Sequence, residues 1–245
     1  MTLHLADHIV FVLLAAVFPV WDFFALRKRA ALINAGRTEL RIKLFQKIIW
    51  QEWIMAVALL ALWFALGRTG SEIGLVPQGG ALVWAGYGLT VLICTLLVLQ
   101  ARSIVGSPKK RAETLKQMGS VSFLLPHTKR ESRSFDVVSV TAGVCEEIVY
   151  RGFLIGYLMA LLSAPFWVAG LISSVVFGLA HSYQGLSGIP RTGAVGAAMA
   201  LLYGLTGSLW APMVAHAVMD LVSGRIAYAA SKETGPDRSS PQVAA

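Results

Sequence analysis

Apolar residues recur in long unbroken runs, with few polar positions inside them. The runs fall at roughly 9–26, 48–67, 81–101, 136–162, 164–181, 192–206 and 208–230. About 20 mostly apolar residues make a helix long enough to cross a bilayer. The pattern therefore predicts an all-α, polytopic membrane bundle of about seven transmembrane helices, within a range of six to eight. The third run, ALVWAGYGLTVLICTLLVLQA, is the cleanest, whereas the fourth is long and interrupted by charge. Only Gly207 separates the last two. In the C-terminal half, small residues recur every four positions, as Gly170, Ser174, Gly178 and as Gly196, Ala200, Gly204. Such ridges let helix backbones approach closely in lipid. The C-terminal spans are expected to pack tightly, and the Leu-rich third span is free to face lipid.

Composition agrees with the pattern. The 245 residues are 56% hydrophobic and only 14% charged, and the mean hydropathy is +0.66. Water-soluble domains carry about 25% charged residues, so this chain lacks the polar surface to cover a water-facing globule. The net charge of +8 sits in two clusters, at 27–47 and 102–135. Both lie directly between apolar runs. They read as loops retained on the cytoplasmic side, not as a nucleic-acid footprint. The connector 68–80, with Arg68 and Glu72, then faces the other side. Cys94 and Cys145 lie inside apolar runs, which argues against a disulfide framework. The N-terminal run lacks a basic n-region and a small-residue cleavage site, so it reads as a retained helix. The tail from Ser231 to Ala245 is polar and expected to be disordered.

Candidate chemistry is confined to three runs. In TAGVCEEIVYRGFLIGYLM, Glu146, Glu147 and Arg151 are ionisable residues within a span. Each costs roughly 2.5–3.5 kcal/mol on insertion scales, so such groups line bundle interiors or wet cavities. Glu147 and Arg151 are four apart and can pair on one helix face. Glu146 lies about 100° round the helix and has no such local partner. A carboxylate in a restricted cavity can act as a general base. The next run ends FGLAHSY, with His181, and the last contains His216 and Asp220 at a spacing of four. Taken singly, each has a structural explanation: a buried ion pair, an interfacial histidine, a local His–Asp hydrogen bond. Together they supply the carboxylate and imidazoles needed to activate water, protonate a leaving amine and donate to an oxyanion. Asp22, Glu52 and Arg225 are the remaining ionisable residues to watch inside the runs.

Glu146-Glu147-x-x-x-Arg151, Phe177-x-x-x-His181 and His216-x-x-x-Asp220 resemble the three motifs of the CPBP family of intramembrane proteases. That family includes the CAAX prenyl endopeptidases and bacteriocin-immunity proteins. Leu125-Pro126-His127-Thr128-Lys129-Arg130-Glu131 and Arg151-Gly152-Phe153-Leu154 are similar to it as well. The resemblance covers roughly 120–225 and implies three regions. These are N-terminal membrane helices with basic loops at 1–119, a protease-like membrane core at 120–230, and the tail at 231–245. It implies an intramembrane endopeptidase in a cell membrane, acting on a peptide or protein substrate that is membrane-anchored or CAAX-type. In that reading Glu146 activates water together with His181. His216 and Asp220 stabilise the oxyanion, and Glu147 and Arg151 shape the site. The family's third motif often ends in Asn. An ionised Asp cannot donate a hydrogen bond, so Asp220 is either protonated, or a ligand or orienter of His216. The expected partners are substrate and lipid, with no nucleic acid; oligomeric state is left open. A metal-free mechanism is expected. Zinc held by Glu146, His181 and His216 is the alternative, since zinc sites often use three protein ligands and an open position. Two other classes stay in play: a non-catalytic immunity or partner-binding membrane protein, and a proton-coupled transporter, although no inverted repeat is visible.

Overall fold

The computed structural model describes residues 1–77 and 79–232. Residues 233–245, which hold most of the polar tail, lie outside the described residues. Among the described residues there are eight helices and no strand. The seven apolar runs become seven long helices. They are α1 (Leu5–Asn34, with a π-helical turn at Leu13–Val17), α2 (Leu40–Ala65), α3 (Ala81–Val105), α5, α6 (Phe166–Ala180), α7 (Gly188–Thr206) and α8 (Trp210–Ser231). Helix α5 runs through Lys129–Glu147, a π-helical segment Ile148–Leu154, and Ile155–Leu162. The eighth helix, α4 (Pro108–Gln117), lies within the second basic cluster and is capped by the Ser107 hydroxyl. By length and hydropathy α1, α2 and α3 are each able to cross a membrane. The result is a helical membrane bundle.

The chain direction gives the bundle two chemically different ends. One end gathers the 35–39 turn, the 106–128 connector, the 181–187 turn and the C-terminus of α8. Nearly all described Lys and Arg lie at or near this basic end. At the opposite end the 66–80 connector contributes Arg68 alone.

Two basic residues, Arg41 of the first cluster and Arg68 of the 68–80 connector, are buried. Arg41 is only 4% exposed. Its guanidinium donates to Glu131 Oε1 at 2.8 Å and to the Phe123 carbonyl at 3.0 Å. Arg68 is likewise buried, paired with Asp7 at 2.6 Å. A buried charge needs a partner, and here each joins elements distant in sequence.

Helix α5 is the central element. Thr128 caps it, with Glu131 completing the reciprocal capping box. This arrangement satisfies orphan N–H groups of the first turn. Glu131 accepts from the His127 and Thr128 backbone N–H groups at 2.8 and 3.0 Å. Helices α2 and α8 pack along α5, and α6 packs against α7. The small-residue ridges lie at that α6–α7 contact. A Cβ on Gly178 would stand 2.6 Å from the Ile189 carbonyl, and one on Gly196 would stand 3.2 Å from Ser174. Helix α3 contacts α7 and α8 while Leu92, Leu96 and Leu99 project outward, more than half exposed. The main apolar core joins both halves of the chain. Ala56, Leu59 and Trp63 of α2 pack with Cys145, Phe153, Phe177 and Met213.

Candidate active site

The six charged or titratable residues singled out from sequence come from α5, α6 and α8. Two local features bring them together. The first is a close approach of α8 to α5. A Cβ on Gly143 would lie 2.7 Å from the Ala217 nitrogen, so only glycine allows this contact. One turn after Gly143 on α5 is Glu147, and beside Ala217 on α8 is His216. Their side chains meet, with His216 Nδ1 2.7 Å from Glu147 Oε1. The second feature is the π-helical segment beginning at Ile148. Such widened turns concentrate at functional sites, and this one carries Tyr150 and Arg151 inward. Nothing in the residue spacing signals it.

Glu147 is the structural hub. Its side chain is fully buried and that of Arg151 is 1% exposed. Arg151 donates to Glu147 Oε1 at 3.0 Å and to the Gly196 carbonyl at 3.1 Å. Its guanidinium also stands 4.6 Å from the Phe177 ring centre. Arg151 therefore ties α5 to α6 and α7, and Glu147 ties α5 to α8.

Glu146 has different surroundings. Its Oε1 lies 3.9 Å from His181 Nε2, and its Oε2 lies 3.8 Å from His216 Nε2. Both distances are too long for a hydrogen bond. Glu146 Oε2 is buried and has no hydrogen-bond partner. The spacing leaves room for a small molecule among the three groups. His181 Nδ1 is 2.8 Å from the Phe177 carbonyl. Nδ1–H therefore donates there, and Nε2 is left on the side toward Glu146. Asp220 Oδ2 is 3.8 Å from His216 Nε2, and its side chain is 31% exposed. Asp220 stands at the Nε2 side of His216, and Glu147 holds the Nδ1 side.

These groups lie at one end of a cavity of about 400 Å³, within the usual range for ligand sites. Glu146, His181, His216 and Asp220 line it, and Gln117, Met118, Gln184 and Arg191 line it toward the basic end. Glu147 and Arg151 lie behind its wall. Glu52 of α2 and Tyr183 of the 182–184 turn also line it. Glu52 carried a signal in the sequence, as a carboxylate inside an apolar run. Tyr183 carried none, because its place depends on how the chain turns after α6.

Ligand atoms round one tetrahedral zinc stand about 3.3 Å apart, and the Glu146–imidazole separations are wider. Among the described residues, no three His, Cys, Asp or Glu side chains are arranged to hold a metal ion.

Comparison with known proteins agrees with the class that this helical fold and carboxylate–imidazole cluster suggest. The family model described as type II CAAX prenyl endopeptidase Rce1-like matches residues 134–222. That segment contains all six candidate residues, and the match supports a CPBP-family protease core there. The chain is also similar to "Putative membrane peptidase YdiL" of Bacillus subtilis (strain 168). The two are 37% identical over 84 residues, which is 34% of this chain and 33% of the relative. The chain thus spans about a third of the length of the curated relative it matches. No solved structure matches.

Proposed function

We propose that the chain is a multi-pass intramembrane endopeptidase of a cell membrane. It hydrolyses a peptide bond in a protein or peptide substrate, which is membrane-anchored or of the CAAX type. One observation carries the reading. The Glu146 carboxylate faces two imidazoles across a space open to the cavity: Oε1 stands 3.9 Å from His181 Nε2, and Oε2, buried and without a hydrogen-bond partner, stands 3.8 Å from His216 Nε2. Water in that space can donate one proton to Glu146 and the other to His181 Nε2. Glu146 takes a proton as the water oxygen attacks the scissile carbonyl carbon. The carbonyl π pair moves to oxygen and forms a tetrahedral oxyanion. With Nδ1–H committed to Glu147, His216 donates from Nε2 to that oxyanion as the imidazolium. Asp220 stands beside it as a counter-charge and orienter. Collapse of the intermediate breaks the C–N bond, and the proton on Glu146 passes to the leaving amine. Glu147 and Arg151 hold His216 and the π-helical segment in place and touch no reacting atom. No step is assigned to a metal.

The test is hydrolysis itself. Purified protein in lipid nanodiscs is incubated with a membrane-anchored peptide in ¹⁸O-labelled water, and the products are weighed. Two fragments are expected, with one ¹⁸O in the new C-terminal carboxyl. An intact peptide under conditions where the protein is folded and binds it would overturn the reading. It would favour a partner-binding protein instead.

A further inference from the structure

The main cavity poses a problem for a hydrolase. A peptide that fills it also covers Glu146 from the basic end. A second cavity, of about 140 Å³, meets the same carboxylate from another side. Asp22, Lys47, Gln51 and Tyr150 line it and do not line the first. Glu52, Glu146 and His181 line both. The space is large enough to hold several waters.

The lining is mostly apolar, and a few polar side chains are set into it. Lys47 and Asp22 form the rim between α1 and α2, 3.9 Å apart, with side chains 35% and 27% exposed. Inside them Gln51 donates to Asp22 Oδ2 at 3.0 Å. Next is Glu52, whose Oε2 is buried without a partner. Beyond Glu52 lies Glu146, with its own unpartnered Oε2. Helix α2 is held against α5 at this level by the Trp53 Nε1–H bond to Thr141 Oγ1, at 3.2 Å. Buried polar atoms without protein partners are where internal water sits.

We propose that the second cavity is a water path. It runs from the Lys47–Asp22 rim past Gln51 and Glu52 to Glu146, and supplies the hydrolytic water while peptide occupies the first cavity. Glu52 is a positioning residue in this path. It holds water beside Glu146, at the place where the two cavities meet. The inference rests on the peptidase reading above, and it gives α2, which lies outside the segment matched by the family, a part in the reaction.

The experiment separates the two readings. Tyr150 is 8% exposed and lines the second cavity. X-ray radiolytic labelling, which hydroxylates rings next to water, is applied to the folded protein in nanodiscs with peptide bound. Tyr150 is expected to be labelled in the wild type. Gln51→Leu makes the path apolar and Met55→Phe fills it from a separate position. Each is expected to lose the Tyr150 label and to lower kcat at least tenfold, with KM unchanged. Two positions guard against a variant that misfolds. An unlabelled Tyr150 in the wild type overturns the path. So does a sealed variant that cleaves at the wild-type rate. If the wild type cleaves nothing yet Tyr150 is labelled, the peptidase reading fails and the hydrated path stands.

Discussion

The Glu147–Arg151 pair is the most exposed consequence of the fold to experiment. Arg151→Met removes the guanidinium but keeps much of the side-chain volume. Glu147, whose side chain is fully buried, then keeps only His216 Nδ1 at 2.7 Å. Its Oε2 already lacks a partner. Breaking a buried pair from one side typically costs about 3–5 kcal/mol, because the other charge is stranded. His216 still compensates part of that charge, so a loss near 3 kcal/mol is expected. Glu147→Gln should also destabilise, because the buried Arg151 charge is then left with neutral acceptors alone, the amide oxygen and the Gly196 carbonyl. With both changes together neither member of the pair is left without the other, and the double variant should recover part of the loss. The assay is a double-mutant cycle read by thermal melting and by monodisperse yield in detergent. A favourable coupling of about 2 kcal/mol or more is expected, within the range seen for residues in one network. Additivity within about 0.5 kcal/mol would show that the pair is not a structural unit, and would refute the hub assigned to Glu147.

Three other outcomes follow from particular contacts. Gly143→Ala puts a Cβ 2.7 Å from the Ala217 nitrogen. It should lower stability by about 1–3 kcal/mol and separate His216 from Glu147, seen as a lower melting temperature with reduced turnover; an unchanged melt would contradict the close approach. Glu131, in the first turn of α5 and outside the apolar run, is pushed up by burial. The His127 N–H and the Arg41 guanidinium more than reverse this and hold its carboxyl below the usual range. A depressed folded pKa gives stability that is present above the unfolded value, about 4.3, and lost as pH falls through the folded one. Melts from pH 7 down to 3 should therefore fall less steeply for Glu131→Gln than for wild type, and parallel curves would contradict this. Finally, prolonged dialysis against a strong chelator should leave cleavage intact, and loss restored by zinc would replace the metal-free account.

The sequence and the structure can be compared residue by residue. Hydropathy runs located the seven long helices, because a span's length and apolar content are local properties. The meeting of Glu147 with Arg151 was legible from a spacing of four. The meeting of Glu147 with His216 was not, since it depends on Gly143 lying against Ala217 on another helix. The burial of Arg41 and Arg68 leaves no mark in the sequence, because each depends on a partner distant along the chain. The π-helical segment at Ile148–Leu154 changes which residues face inward and leaves no mark in the residue spacing. Glu52 stood out as a carboxylate in an apolar run, but its place beside Glu146 depends on how α2 packs on α5.

The central claim is that two adjacent glutamates do different work, and one comparison tests it most directly. Glu146→Gln and Glu147→Gln are each measured by single-turnover cleavage of a membrane-anchored peptide alongside a thermal melt. Glu146→Gln keeps side-chain size and hydrogen-bonding capacity but removes the basic carboxylate. It is expected to melt like wild type, bind peptide, and cleave about 10²–10⁴-fold more slowly, the usual worth of a general base. Glu147→Gln is expected to melt lower and retain partial activity. Full cleavage by a well-folded Glu146→Gln protein would contradict the account.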